Sequence, residues 1–433
     1  MQVFKEKNYG YCLLKQLILI VFGQVIILHH VFSQQQPVIA EQLVESAISQ
    51  HDESETEDDG PVQQLQYFSA NPLNLNYASA ADLKDLGLLS AGQIDALISY
   101  RNLLGKFVHL YEIQAVPEWD IYTIEKIRLF VTVSLQNNLI ATLRHRLKGG
   151  EKKVLFRASQ FIEKSKGYNH DTAVIKDGYQ GSPQKILFRY KYQFKNLLQY
   201  GLVAEKDPGE QFFKDRQKLG FDFYSGHLFI RKSGIIKALA LGDFTVNLAQ
   251  GLIFCQNLAF KKSADVLNIK RQLPVIQPYN SAGEFNFLRG VGLTLAKNNL
   301  ELSLFSSFRK LDANLINEPT LLNSNQVSSF LTSGYHRTKT EQINRQIQHQ
   351  QVFGGNAAVN FNKLHIGVNA ALITLSVPLK KTERLYNLYA PAGKQFNNYS
   401  IDYSYTHKNW HFFGETALSW HKHLATVNGI LLS

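Results

Sequence analysis

From Lys152 onward the chain runs in segments of about ten residues that alternate apolar and polar side chains. In Ile186–Lys195, Phe188, Tyr190, Tyr192 and Phe194 fall on one face, and Arg189, Lys191, Gln193 and Lys195 on the other. Leu300, Leu302 and Leu304 alternate with Glu301 and Ser303; Ile401, Tyr403 and Tyr405 alternate with Asp402, Ser404 and Thr406. The pattern predicts strands over 153–162, 185–194, 197–206, 219–231, 236–246, 285–297, 300–309, 351–361, 364–374, 396–407 and 410–420, with a cut-short run from 426. Short links fall at Lys195-Asn196, Lys232–Ile235, Asn298-Asn299, Asn362-Lys363 and Lys408-Asn409. Long ones fall at 163–184, 207–218, 247–284, 310–350 and 375–395.

That regular exchange of short and long links constrains the fold more than the strands do. A soluble sandwich has no reason to gather every long loop at one end, whereas an outer-membrane barrel has short periplasmic turns and long external loops. Ten residues at about 3.3 Å each, tilted by about 45°, span roughly 23 Å, close to the apolar band of such a barrel. Closure also leaves no backbone group unpaired in lipid. By parity, whatever precedes the first strand lies on the short-turn side. Arg189, Lys191, Glu205, Asp222 and Asp243 are then candidates for a polar barrel interior, and Asn268–Arg271, in the longest proline-bearing link but one, for an inward-folded plug. The alternative is a secreted all-β domain with ordinary hairpins. An uneven strand count and an end, Asn428–Ser433, without a terminal aromatic residue suggest a truncated chain.

The N-terminal part differs. Lys5, Lys7 and Lys15, an apolar run from Leu17 to Leu28, and Val31-Phe32-Ser33 make residues 1–33 a secretory signal, the run being short for a spanning helix, which needs about 20 residues. Residues 34–70 carry eight acidic side chains and no Lys or Arg, the composition of a disordered acidic tether. Residues 134–150 form a basic connector. The formal charge of +11 is uneven: 1–150 hold 11 Lys/Arg against 16 Asp/Glu (net −5), and 151–433 hold 35 against 19 (net +16). Only Cys12 and Cys255 occur, which excludes a disulfide framework and a thiolate metal site in the processed monomer.

Residues 71–133 form a separate module. Leu83, Leu86, Ile94, Leu97 and Ile98, then Leu110, Ile113, Ile124 and Ile127, recur at helical spacing, with Asn76 and Ser79 as caps and Gly105 as a break. This reads as two helix–hairpin–helix units. Leu73-Asn74-Leu75-Asn76, Ala78, Leu83, Leu86, Ile98, Tyr100, Arg101, Phe107, Ile124–Arg128 and Val131–Val133 carry a resemblance to the tandem helix–hairpin–helix domain of competence-type DNA receptors. With Gly181–Pro183, Ala204–Asp207, Gly220–Phe223, Ala238–Asp243 and Leu267–Arg271, most of the chain resembles an exported Bacteroidetes family with this module ahead of a β-rich region. The resemblance implies membership, and little about activity.

DNA-binding hairpins of this kind carry Gly-hydrophobic-Gly, whose backbone N–H groups hold a phosphate. Here the candidate phosphate-contacting hairpins read Leu88-Leu89-Ser90 and Glu118-Trp119-Asp120, without the glycines and with two carboxylates in the second. The module's Lys/Arg and Asp/Glu sum to −2, whereas non-specific DNA affinity requires clustered positive charge. No P-loop, GxSxG or HExxH motif occurs, and His421 with His423 is a weak metal pair. The expectation is an all-α tandem module followed by a large antiparallel all-β region, 151–433, forming a transmembrane barrel. It is a non-enzymatic outer-membrane protein for passage or docking, without cofactor or metal. Its partners are membrane lipid and a periplasmic protein, with DNA binding or uptake as the alternative.

Overall fold

The computed structural model of the protein describes residues 60–135, 143–168, 177–215, 217–256, 269–316, 326–361, 363–381 and 384–432. The expected signal (1–33), the tether up to residue 59 and Asn268 lie outside the described residues.

Helix α1, Gly60–Ala70, occupies the stretch assigned above to the tether. Its adjacent Tyr67 and Phe68 are buried, which gives this end of an otherwise polar segment something to pack. Two-residue strands β1 (Leu73–Asn74) and β2 (Val131–Thr132) pair in parallel and close the ends of the module on each other. Between them, α2 (Ala80–Leu86) starts at a Ser79/Asp82 capping box and stops at Gly87, whose φ of 70° is the left-handed geometry of a helix C-terminus. Helix α3 (Ala91–Leu104) starts at a Ser90/Gln93 capping box. A 3-10 turn (Leu110–Ala115) and α4 (Ile121–Ile127), capped by Asp120, complete the second unit. Leu83, Leu86, Ile94, Leu97, Ile113 and Ile127 are all buried. Asn76, read above as a cap, instead ties two distant segments: its Nδ2 donates to the Phe107 carbonyl and its Oδ1 accepts from the Phe107 amide, both at 2.8 Å. Within the connector, α5 spans Leu143–Lys148.

The β-region follows as β3 (Glu151–Ser159), β4 (Lys185–Phe194), β5 (Leu198–Lys206), β6 (Phe223–Ser233), β7 (Ile236–Val246), the short β8 (Ile276–Pro278), β9 (Leu288–Lys297) and β10 (Leu300–Leu311). Then come β11 (Ala313–Ile316), β12 (Gln326–Phe330), helix α6 (Lys339–Ile343), β13 (Gln348–Asn360), β14 (Leu364–Leu379), β15 (Gly393–His407), β16 (Trp410–Ser419) and β17 (Leu424–Leu432). Leaving out β8, β11 and β12, these strands pair antiparallel in chain order from β3 to β17. β17 is a full strand along β16, so the meander has twelve strands, where the sequence suggested eleven and a fragment. Left-handed backbone at Lys195, Lys232, Asn298 and Lys408 makes the tight short turns.

One expectation needs correction. The sheet is not closed: among the described residues β3 pairs only with β4 and β17 only with β16, so each keeps one unpaired edge. Every residue of β3 is exposed, as follows from having no neighbour beyond that edge.

The two faces of the sheet are inverted relative to a soluble protein. In β15, Ile401 is 59% exposed and Tyr403 40%, while Asp402 between them is 6% exposed. Leu302 and Leu304 are exposed where Ser303 is fully buried; Ile366 and Val368 are exposed where Asn369 is buried. Registers place these apolar residues on one continuous face, since Ile366 lies opposite Tyr403 and Val368 opposite Ile401. The inner face holds a polar network, with Asn356 Nδ2 on Asn369 Oδ1 and Asn369 Nδ2 on Asp402 Oδ2, both at 2.7 Å. Beside that network lies an apolar core that includes Phe244, Val246, Phe305, Val352, Ala371 and Ala417.

Candidate functional site

The helical module rests on the short-turn end of the sheet, and its acidic helix makes the contact. Asp82 and Asp85 lie one turn apart on α2, so both project to one side. Asp82 Oδ2 accepts from Lys232 Nζ at 2.5 Å, and Asp85 pairs with Arg231. Asn196, in the β4–β5 turn, donates to Asp85 Oδ2 at 3.1 Å. Asp85 and Arg231 are both buried, so each neutralises a charge that would otherwise be costly in that position. Burial by itself would raise the Asp82 carboxyl; the Lys232 ammonium and the Ser79 hydrogen bonds outweigh it and hold the group below its ordinary value.

A second contact reaches the module from inside the sheet. The link after β7 turns inward: Leu248 and Ile253 join the apolar core beside Val352 and Ala417, and the amides of Gln250 and Leu252 donate to Glu415 of β16 at 2.9 and 3.1 Å. Residues 269–278 return along it. There Lys270 Nζ lies 2.9 Å from His411 Nε2, His411 Nδ1 lies 2.8 Å from Thr406 Oγ1, and Thr406 donates to Asp95 of α3. Inward-folded chain, sheet and helical module are thus joined by one chain of hydrogen bonds.

The two candidate phosphate-contacting hairpins face each other. Leu89 is buried and Leu88 half-buried; the Ser90 hydroxyl accepts from Gln93 N at 3.3 Å. Glu118 takes a left-handed backbone, φ 68°, and Trp119 is buried with its indole N–H on the Gln93 carbonyl at 2.9 Å. Gln93 Nε2 donates to the Glu118 carbonyl and to Thr123 Oγ1, which makes Gln93 the joint between the hairpins. Asp120 Oδ1 accepts from Thr123 N at 2.8 Å, so the amide at the head of α4 is taken by the chain's own carboxylate.

The five candidate interior residues separate into three places. Arg189, Lys191 and Glu205 lie on the inner face of β4 and β5 by alternation with the buried Leu187 and Val203, under the 279–282 segment. Lys185 Nζ reaches Glu205 at 3.2 Å. Asp243 belongs elsewhere: its neighbour Phe244 enters the inner core, so Asp243 takes the opposite face with its register partner Arg289, which binds it at 2.7 Å. Asp222 is not on a strand at all. It precedes β6, in a cluster at the long-loop end.

That cluster is the feature the sequence did not reveal. His336 is buried, its Nδ1 2.5 Å from Asp222 Oδ2 and its Nε2 2.9 Å from Asp312 Oδ2. Glu210 accepts the amides of His336 and Asp207 at 2.9 and 2.8 Å, and Arg345 holds Asp222 at 3.1 Å. Glu284 completes the group. Burial raises the Glu210 carboxyl to about 7, with Asp222 and Asp207 adding to it, and raises Glu284 well above the ordinary range. Burial would lower the His336 imidazole, but its hydrogen bonds to Asp222 and Asp312 lift it to about 10. Residues 210 and 222 lie in the β5–β6 link, 284 in the link after β8, and 312 and 336 between β10 and β13, with no motif spacing, so only the fold brings them together. His421 and His423, by contrast, sit in an exposed turn with ring centroids 6.4 Å apart.

No protein-family model matches the chain, and no curated protein does. Among solved structures it is similar to OmpT, an outer-membrane protein of Vibrio cholerae in its trimer form, at 9% identity over 64% of this chain and 82% of that one, with a TM-score of 0.22. It is also similar to Pseudomonas aeruginosa OccK2 (OpdF) in complex with glucuronate, at 12% identity over 55% of this chain and 57% of that one, TM-score 0.18. A third is OccK9 (OpdG) of the same organism, at 11% identity over 64% and 69%, TM-score 0.19. At such scores the likeness carries no inference of shared activity.

Proposed function

We propose that the protein is a non-enzymatic, outer-membrane β-barrel protein whose outer sheet face meets lipid and whose interior is occluded. The observation that carries this reading is the inverted burial of the strands, with Ile401, Tyr403, Val368 and Leu304 outward and Asp402, Asn369 and Ser303 inward. Water would reward the opposite arrangement; a bilayer rewards this one. Lipid also demands that the free edges of β3 and β17 be paired, by each other or by further strands. Packing of Leu248 and Ile253 against Phe305 and Val352 argues for docking at the membrane over free passage through it.

In this reading the short turns face the periplasm, and the module is a tandem helix–hairpin–helix domain kept there for structure and docking. Its acidic side is engaged by Arg231 and Lys232, and its hairpins by each other, which leaves neither arranged to hold a phosphate. Membrane fractionation with and without heating tests the barrel reading. A detergent-extracted band with heat-modifiable gel mobility supports it, and recovery in a soluble fraction contradicts it. A gel-shift titration of the full chain with duplex DNA tests the module; tight, salt-sensitive binding would restore the DNA reading.

A further inference from the structure

The cluster at the long-loop end holds more carboxylates than partners. Asp222 has Arg345 and His336, Glu210 has two backbone amides, and Asp207 has Lys185 at 3.0 Å. Asp312 Oδ1 accepts from Gln346 N at 2.7 Å and its Oδ2 meets His336. The Glu284 carboxylate, half-buried and turned into the group, has no hydrogen-bond partner among the described residues, whereas the Glu284 backbone carbonyl accepts from Arg309 Nη2 at 2.7 Å. The chain leaves space for it: a Cβ added at Gly334 would fall 2.6 Å from Glu284 Cδ. A cation bound here would give that carboxylate the partner it lacks.

We propose that Glu284, Asp312 and the Nε2 of His336 form a divalent-cation site of zinc type, binding together the links that follow β8, β10 and β12. The ligand atoms of these three residues lie within 4.8 Å of one another. Two carboxylate oxygens and one imidazole nitrogen suit zinc and leave a fourth position for water. The other imidazole nitrogen is already oriented, since Nδ1 donates to Asp222; a carboxylate behind a ligating histidine fixes the ring and raises its basicity. Glu210, bonded to the His336 amide, fixes the backbone of the same residue. On binding, the cation replaces the Nε2 proton, which passes to solvent. Calcium fits less well because it prefers an all-oxygen shell of six to eight ligands. The site does not depend on the membrane reading.

The test is a zinc titration of the folded full chain against a chromophoric chelator, with metal content measured after dialysis. One zinc per chain is expected, as is a loss of affinity of about tenfold or more in Glu284→Gln. That substitution keeps the side-chain shape and removes no hydrogen bond, so circular dichroism and gel mobility should match the parent protein. Asp222→Asn, which acts through His336, should weaken binding by about 10–100-fold. Absence of stoichiometric zinc, preference for calcium, or unchanged affinity in Glu284→Gln would overturn the proposal.

Discussion

Asp85 of α2 and Arg231 of β6, 146 residues apart in sequence, form a buried ion pair that joins the helical module to the sheet. Breaking a buried pair leaves the surviving charge uncompensated, at a cost of about 3–5 kcal/mol. Asp85→Ala should therefore loosen the module, seen as faster proteolysis between residues 135 and 150 and faster amide exchange in α2 and α3. The double variant Asp85→Leu with Arg231→Leu should recover much of the loss, because no lone charge remains. Equal damage from the single and double variants would mean that packing, not the pair, holds the module.

The same interface is pH-sensitive. The folded-state pKa of Asp82 is depressed relative to the unfolded chain, so its contribution is fully present above the ordinary aspartate value of about 3.9 and is lost as pH falls through the lower folded value. Acid should release the module before the sheet unfolds, and Asp82→Asn should remove this part of the acid transition. Amide exchange in α2 across a pH series checks the sign; release on raising the pH through neutrality would contradict it.

Substitutions on the two faces of β14 should behave oppositely to those in a soluble sheet. Val368 is 54% exposed, and a lysine there would cost nothing in water. In a bilayer it should destabilise by about 2–4 kcal/mol near the midplane and less toward either interface. Reversible folding into lipid vesicles, compared for Val368→Lys and the parent chain, measures the difference.

The inward segment should be a stability element. Leu248 is fully buried among residues of several strands, and its truncation to alanine leaves a cavity worth about 2–5 kcal/mol. The expected result is a lower midpoint in denaturant with an unchanged slope. Truncating the exposed Leu385 should change little, since it packs against nothing comparable.

Much of the sheet was legible in the sequence because period-two alternation and turn residues are local signals; β4 and β7 coincide with their predicted bounds. Alternation gives two faces without saying which is inside, so the pairing of Asp243 with Arg289 is legible only from the strand register. Asp222 was placed in a predicted strand over 219–231, and β6 begins only at Phe223. Residues 60–70 form a helix where composition predicts a tether, and Tyr67 and Phe68 gain their burial there from the fold, which composition does not show. The His336 cluster leaves no trace in the sequence, since its members come from three separated stretches of chain, around 210–222, at 284 and at 312–336, and are assembled only by strand order. The hairpins are legible in the sequence only for the glycines they lack; their mutual contact through Gln93 arises from the fold.

The most direct test of the central claim is lipid exposure at adjacent positions of β15. In a Cys255→Ser background, single cysteines at Ile401, Tyr403 and Ser400 carry a fluorophore, and quenching by lipid-soluble and water-soluble agents is compared. Strong lipid-phase quenching is expected at 401 and 403 and little at 400, where Ser400 is buried. Aqueous quenching at 401 and 403 equal to that of an exposed turn residue would contradict it.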